Sequence, residues 1–104
     1  MDNETKKRTI STGSIVVASE NQTSTNLDEE MVILNMESGI YYGLDGVGAH
    51  IWNQIQEPRS VGQIRDSIRR KYQVEPERCE RDLLLLLQKL ANAGLIEIRD
   101  ETSV

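Results

Sequence analysis

With 104 residues and a net charge of −5, the chain is long enough for one hydrophobic core, and it lacks the basic excess that duplex DNA binding draws on. Its single cysteine, Cys79, excludes an internal disulfide, a Cys-based metal cage and a CxxC redox pair, which fits a reducing compartment. No stretch has the pattern of a signal peptide or a membrane span, so a cytoplasmic protein is expected.

Residues 1–12 are polar and aperiodic and are expected to be a disordered tail, with the folded domain over 13–99 and a second tail over 100–104. "SIVVAS" (14–19) reads as a strand, and "ENQTSTNLDEE" (20–30) as a polar connecting loop. "MVILNM" (31–36) is apolar at both parities, which suits a central strand. "ESG" is a short turn in which Gly39 is free to take positive φ, and residues 40–44 return antiparallel. The expected sheet is a three-stranded meander of 14–19, 31–36 and 40–44.

Asp45 is placed to N-cap a first helix in which Val47, Ile51, Trp52 and Ile55 share a face and which Pro58 ends. In "SVGQIRDSIRRKYQ", Ser60 and Gln63 have capping-box spacing, and Val61, Ile64, Ile68 and Tyr72 form the buried stripe of a second helix. The third helix has Pro76 at its first position, Val74 and Cys79 spaced as a hydrophobic staple, Glu75 and Glu77 at its positive end, Lys89 at its negative end, and Gly94 as terminator. "LIEIR" then alternates like a short closing strand or wing.

Strands, three helices and a terminal wing are the order of a winged helix-turn-helix, in which the third helix would enter the major groove. Here that helix offers Leu83, Leu84, Leu85, Leu86 and Leu87 beside Glu80 and Asp82, which suits neither phosphates nor base edges. The basic run Arg65, Arg69, Arg70 and Lys71 reads as a solvated helix face. Catalytic sets are no better supplied. His50, the only histidine, lies opposite Val47 and Ile51 on its helix and is expected to face solvent. Cys79 as a nucleophile would need a base and a third orienting group, and the sole histidine lies on a different element; the carboxylates occupy ordinary helix-end and helix-surface positions, and "YGLDGVG" lacks both dinucleotide and P-loop spacing.

Two apolar features exceed what a small core needs. On the third helix Cys79, Leu83, Leu86, Leu87 and Leu90 make one broad stripe, with Leu84 and Ala91 on its flank and Leu85 nearly opposite. The edge expected at Ile40, Tyr41, Tyr42, Gly43 and Leu44 has none of the Lys, Pro or bulge devices that protect edges from pairing. An unguarded edge beside an apolar helix suits a domain that binds a peptide by strand addition. Coverage by the polar loop or by a second copy of the chain would also satisfy it.

The runs "VILNMESGIYYGLDGVGAHIW", "SVGQIRDSIRRKYQV" and "DLLLLLQKLANAGLI" resemble the PqqD-like precursor-recognition domains, most closely the stand-alone kind of lasso-peptide biosynthesis, over roughly residues 14–98. The marks are Tyr42, Leu44, Asp45, Gly48, Ile51 and Trp52, then Leu87, Leu90, Gly94 and Leu95. The resemblance implies an α+β, winged-helix-like fold: a three-stranded antiparallel sheet, three helices and a short C-terminal wing strand. It also implies a non-catalytic binding protein without cofactor or metal. Its partner would be the leader of a ribosomally made precursor, bearing a Tyr with a Pro a few residues on. The leader would add to the edge Ile40, Tyr41, Tyr42, Gly43 and Leu44, against a helix wall of Cys79, Asp82, Leu83 and Leu86, and then pass to a leader peptidase, with a cyclase of the same pathway as a further partner. Neither nucleic acid nor membrane is implied, and the oligomeric state stays open. PqqD itself tends to end its last helix with Gly-Trp, whereas Gly94-Leu95 here favours the lasso pathway. A winged-helix transcription regulator and a scaffold for a partner enzyme are the alternatives.

Overall fold

The computed structural model describes residues 10–28 and 30–99. Its class is the α+β expected, but the strands are shared between two antiparallel sheets. In chain order come β1 (Ile15–Ala18), β2 (Gln22–Leu27), β3 (Glu30–Asn35), β4 (Tyr41–Asp45), α1 (Val47–Gln54), β5 (Arg59–Ser60), α2 (Val61–Lys71), α3 (Pro76–Asn92) and β6 (Ile96–Arg99). One sheet has the order β5-β1-β6 and the other β2-β3-β4.

Two strand expectations are corrected by this pairing. The segment read as a polar loop contains β2, which pairs with β3 from Gln22↔Asn35 to Leu27↔Glu30. Its residues 23–27 are all exposed, so no apolar alternation marks it, and its place in the sheet comes from backbone pairing with a strand that has a free side. Asp28, at φ 58, makes the tight return, a conformation that Asp tolerates better than most residues. The 14–19 strand, in turn, is not a neighbour of β3. It pairs with β6 from Ile15↔Arg99 to Ala18↔Ile96, so the expected wing is the partner of the first strand.

The helix boundaries follow local chemistry with one exception. Gly46, not Asp45, occupies the N-cap of α1, at φ 54 and with no side-chain cap, because Asp45 is still paired in β4. Ser60 and Gln63 form the expected capping box on α2. Pro76 opens α3, and Gly94 closes it at φ 76. There the Leu95 N–H reaches the Leu90 carbonyl and the Gly94 N–H the Ala91 carbonyl, each at 3.0 Å, as in a Schellman motif, with Leu90 and Leu95 both buried. The tails expected at 1–12 and 100–104 lie outside the described residues except for 10–12. Of these, Ile10 is buried in the core and the Thr12 carbonyl accepts from the Gly62 N–H.

One core joins the two sheets to the helices. Val16, Met31, Ile33, Ile51, Trp52, Ile55, Val61, Ile64, Leu83, Leu87 and Leu95 are among its buried members. Trp52 is 1% exposed, and its indole N–H donates to Ser24 Oγ on β2 at 3.2 Å. On α3 the buried stripe is Cys79, Leu83, Leu87 and Leu90, while Leu86 is only half-buried and Leu85, as its angle dictated, is 60% exposed. His50 is not solvent-facing as expected. Its Nε2 lies 3.1 Å from Ser67 Oγ and its ring meets Tyr72 edge-on, since α2 crosses the face of α1 on which His50 lies.

Candidate peptide-binding site

Among the described residues β4 is an edge strand with one neighbour, and the hydrogen bonds of the hairpin fix which of its backbone groups face away from that neighbour. The Asn35 N–H donates to the Ile40 carbonyl at 3.0 Å, while on the other side the Met36 N–H donates to the Asn21 carbonyl at 2.9 Å. Odd-numbered residues of β3 therefore bond to β4 and even-numbered ones to β2. Through the register Ile33↔Tyr42 and Met31↔Leu44, Tyr42 and Leu44 spend their N–H and C=O groups on β3. Tyr41, Gly43 and Asp45 turn theirs outward, away from β3, where no other described strand pairs with them. Side chains alternate with the same period: Tyr42 and Leu44 are half-buried on the core side, whereas Tyr41, at 68% exposure, stands on the outer face.

The turn that presents this edge is held internally. Asn35 is buried, and its Oδ1 accepts from the backbone N–H groups of Glu37 and Ser38 at 2.8 and 3.1 Å. Its Nδ2 donates to the Ala93 carbonyl at the end of α3, at 2.8 Å. One side chain thus shapes the β3–β4 turn and ties it to the helix.

Beside the edge lies an apolar cavity of about 250 Å³, lined by Val47, Gly48 and Ile51 of α1, Ile68 of α2, Val74, and Cys79, Asp82, Leu83 and Leu86 of α3. All four helix-wall residues expected from the resemblance line it. The five strand residues do not, but the two halves touch: a Cβ on Gly48 would stand 3.4 Å from Cβ and Cδ2 of Leu44. Cys79 and Leu83 are almost fully buried and form its floor, and Leu86 is at its margin. Ile40 is half-exposed at the start of the edge. Val47, Gly48, Ile51, Ile68 and Val74 were not anticipated as site residues. Val74 carried a signal as half of the helix staple, but which apolar faces meet at a cavity is set by helix crossing, which periodicity does not encode.

The cavity holds one charged residue, Asp82, whose carboxylate pairs with Arg78 one turn earlier at 3.6 Å, with both groups exposed. Burial pushes the Cys79 thiol above its ordinary range, with the guanidinium groups of Arg69 and Arg65 opposing and the carboxylates of Asp82 and Glu80 adding to the rise. The rise favours the neutral thiol at the cavity floor over the nucleophilic thiolate. Among the described residues no group of three or more His, Cys, Asp or Glu side chains is placed to hold a metal ion, and no helix is long and apolar enough to cross a membrane. The arrangement can bind an extended chain by its backbone and take an apolar side chain into the cavity.

A search of the curated proteins found no match to the chain. Among solved structures, TbiB1 in complex with the TbiA(beta) leader peptide is 38% identical at a TM-score of 0.74, covering 78% of this chain and 94% of that one. A lasso peptide synthetase B1 complexed with the leader peptide is 24% identical at a TM-score of 0.71, over 79% and 96% of the two chains, and speaks to the fold alone. The family model for coenzyme PQQ synthesis protein D (PqqD) matches residues 30–96. Since that segment contains β3, β4 and all three helices, and hence both the open edge and the cavity, the chain belongs to the PqqD family.

Proposed function

We propose that this chain binds the leader segment of a ribosomally synthesised precursor peptide by strand addition on β4, and presents it to a leader peptidase in lasso-peptide biosynthesis. The observation that carries this reading is the open edge itself: outward backbone groups at Tyr41, Gly43 and Asp45, next to a cavity walled by Cys79, Asp82, Leu83 and Leu86. Main-chain pairing supplies affinity, and the cavity selects an apolar or aromatic side chain of the leader. The similarity to TbiB1, solved with a leader peptide bound, supports the partner's class. In this reading the protein is a binding module without chemistry of its own, working in the reducing cytoplasm. The peptidase removes the leader, and a cyclase closes the ring afterwards.

The test is titration of the purified chain with a fluorescently labelled leader peptide, beside a labelled DNA duplex. Saturable leader binding with no duplex binding is expected. Duplex binding with indifference to the leader would replace this reading by the transcription-regulator one.

A further inference from the structure

Gly43 occupies the centre of β4, and the protein's own structure gives no reason for a glycine there. Its φ is not in the left-handed region, unlike those of Gly39, Gly46 and Gly94. A Cβ at this position would meet only Glu30, at 3.2 Å from Oε2, the end of an exposed and flexible side chain that can swing aside. A glycine inside a strand weakens it through backbone entropy and lost packing, and often marks a place where something approaches closely.

The outer sheet face shows what the missing side chain leaves open. Gly43 is paired with Val32, and Val32 with Thr25, so these three form one row across the sheet. The adjacent row is Tyr41, Leu34 and Thr23. Val32 and Leu34 are only half-covered, and Tyr41 is exposed. Gly43 is therefore a notch in the edge, with Tyr41 on one side, the mobile end of the Glu30 side chain on the other and Val32 behind it. An added strand would run about 5 Å from β4 and about 10 Å from Val32, and a large side chain closes the second gap when nothing stands between. Aromatic residues packed across a neighbouring strand's glycine recover the strand stability that the glycine costs.

Resting on the strand-addition reading, we infer that Gly43 is a second specificity position, whose notch on the outer sheet face takes a large aromatic side chain of the bound peptide, packed across the glycine onto Val32 and beside Tyr41. The peptide would then be read on both faces. The residue opposite Gly43 points outward, and those opposite Tyr42 and Leu44 point toward the helices. The outward anchor and any cavity anchor must lie an odd number of positions apart along the peptide, because side chains alternate with period two.

The test uses the TbiA(beta) leader peptide as probe and fluorescence polarisation as readout, with Gly43→Val and Tyr41→Pro variants of the full chain. Gly43→Val should keep or raise the thermal midpoint, because a β-branched residue suits a strand, and should weaken binding by about fivefold or more, the size of a lost aromatic contact plus a steric penalty. An alanine scan of the peptide against both chains should find one position that matters for the wild type and no longer for Gly43→Val. It should lie an odd number of residues from a position coupled to Leu86→Ala. Placing Phe at that position should bind the wild type better than placing Lys there. Undiminished binding by Gly43→Val, or Lys serving as well as Phe, overturns this inference while strand addition stands, provided Tyr41→Pro weakens binding severalfold relative to Tyr41→Ala. Full binding by Tyr41→Pro, or none by the wild type, overturns strand addition and this inference with it.

Discussion

Tyr41 and Tyr42 are adjacent and chemically identical, yet the sheet assigns them opposite duties. Proline at Tyr41 removes an N–H that faces open space, so the variant should fold with a thermal midpoint near that of Tyr41→Ala. Leader binding should weaken, relative to that alanine control, by about 1 kcal/mol or somewhat more, the net value of one hydrogen bond and a steric term. Proline at Tyr42 removes a bond to Ile33 in the middle of the hairpin and should lower the midpoint well below that of Tyr42→Ala. Circular dichroism melts and fluorescence titration of the four variants separate the two effects. His50 gives a second expectation at this scale. Burial and the neighbouring Lys71 ammonium hold its pKa below the ordinary value of 6.5. The unfolded chain therefore binds the proton more readily, so this group's stabilising contribution is present above about pH 6.5 and is lost as pH falls through the lower folded value. Chemical denaturation between about pH 7.5 and 5 should show a steeper loss of stability for the wild type than for His50→Gln, which keeps a polar group near Ser67.

At the scale of elements, α3 serves as core, as cavity wall and as anchor for the β3–β4 turn. Its Schellman end requires Gly94 at φ 76, where a Cβ would also stand 3.3 Å from Nδ2 of Asn35. Gly94→Ala should therefore cost about 1 kcal/mol or more, read as a shift in urea midpoint at unchanged slope. Because Asn35 carries the turn as well, the variant should also slow or weaken leader binding at the edge. Leu86→Trp tests the wall separately. Leu86 is half-buried at the cavity margin, so the larger ring can occupy the cavity without displacing the buried stripe of Cys79, Leu83, Leu87 and Leu90. The expected result is a near-native melting curve with leader affinity reduced about tenfold, the equivalent of roughly 1.4 kcal/mol. Retained affinity would mean that the bound peptide does not enter the cavity.

For the molecule as a whole, a net charge of −5 and an edge without charge from Ile40 to Leu44 set the character of binding. Affinity for a leader should change little between about 50 and 200 mM salt, whereas contacts to several phosphates lose orders of magnitude over that range. Isothermal titration at the two concentrations distinguishes these. Arg69, Arg70 and Lys71 are exposed along α2, and Arg65 is engaged by Asp66 and Glu80 at 3.1 and 3.6 Å, so the basic run is the solvated face its sequence suggested. The purified chain is also expected to leave a full-length precursor uncleaved on prolonged incubation, as mass spectrometry would report. Cleavage that survives purification to homogeneity would contradict the binding-module reading.

The helices, the capping box of α2, both ends of α3 and the strand edge at residues 40–44 were legible in the sequence because each depends on local chemistry: Ser60 with Gln63, Pro76 at the head of α3, Gly94 at its end, and apolar residues without guards on β4. β2 was not legible, because an exposed polar strand held by backbone pairing has no hydrophobic period. Nor was the pairing of β1 with β6, which joins segments far apart in the chain, from Ile15↔Arg99 to Ala18↔Ile96, and depends on where the intervening helices place them. The site was split in the same way. The apolar stripe of α3 followed from spacing and the wall of Cys79, Asp82, Leu83 and Leu86 from the family resemblance, but the contribution of Val47, Gly48, Ile68 and Val74 to the cavity arises only when α1, α2 and α3 cross. Which of Tyr41 and Tyr42 faces the partner was likewise undecided by sequence, since alternation fixes only that they differ; the hydrogen bond from Asn35 to Ile40 sets the phase.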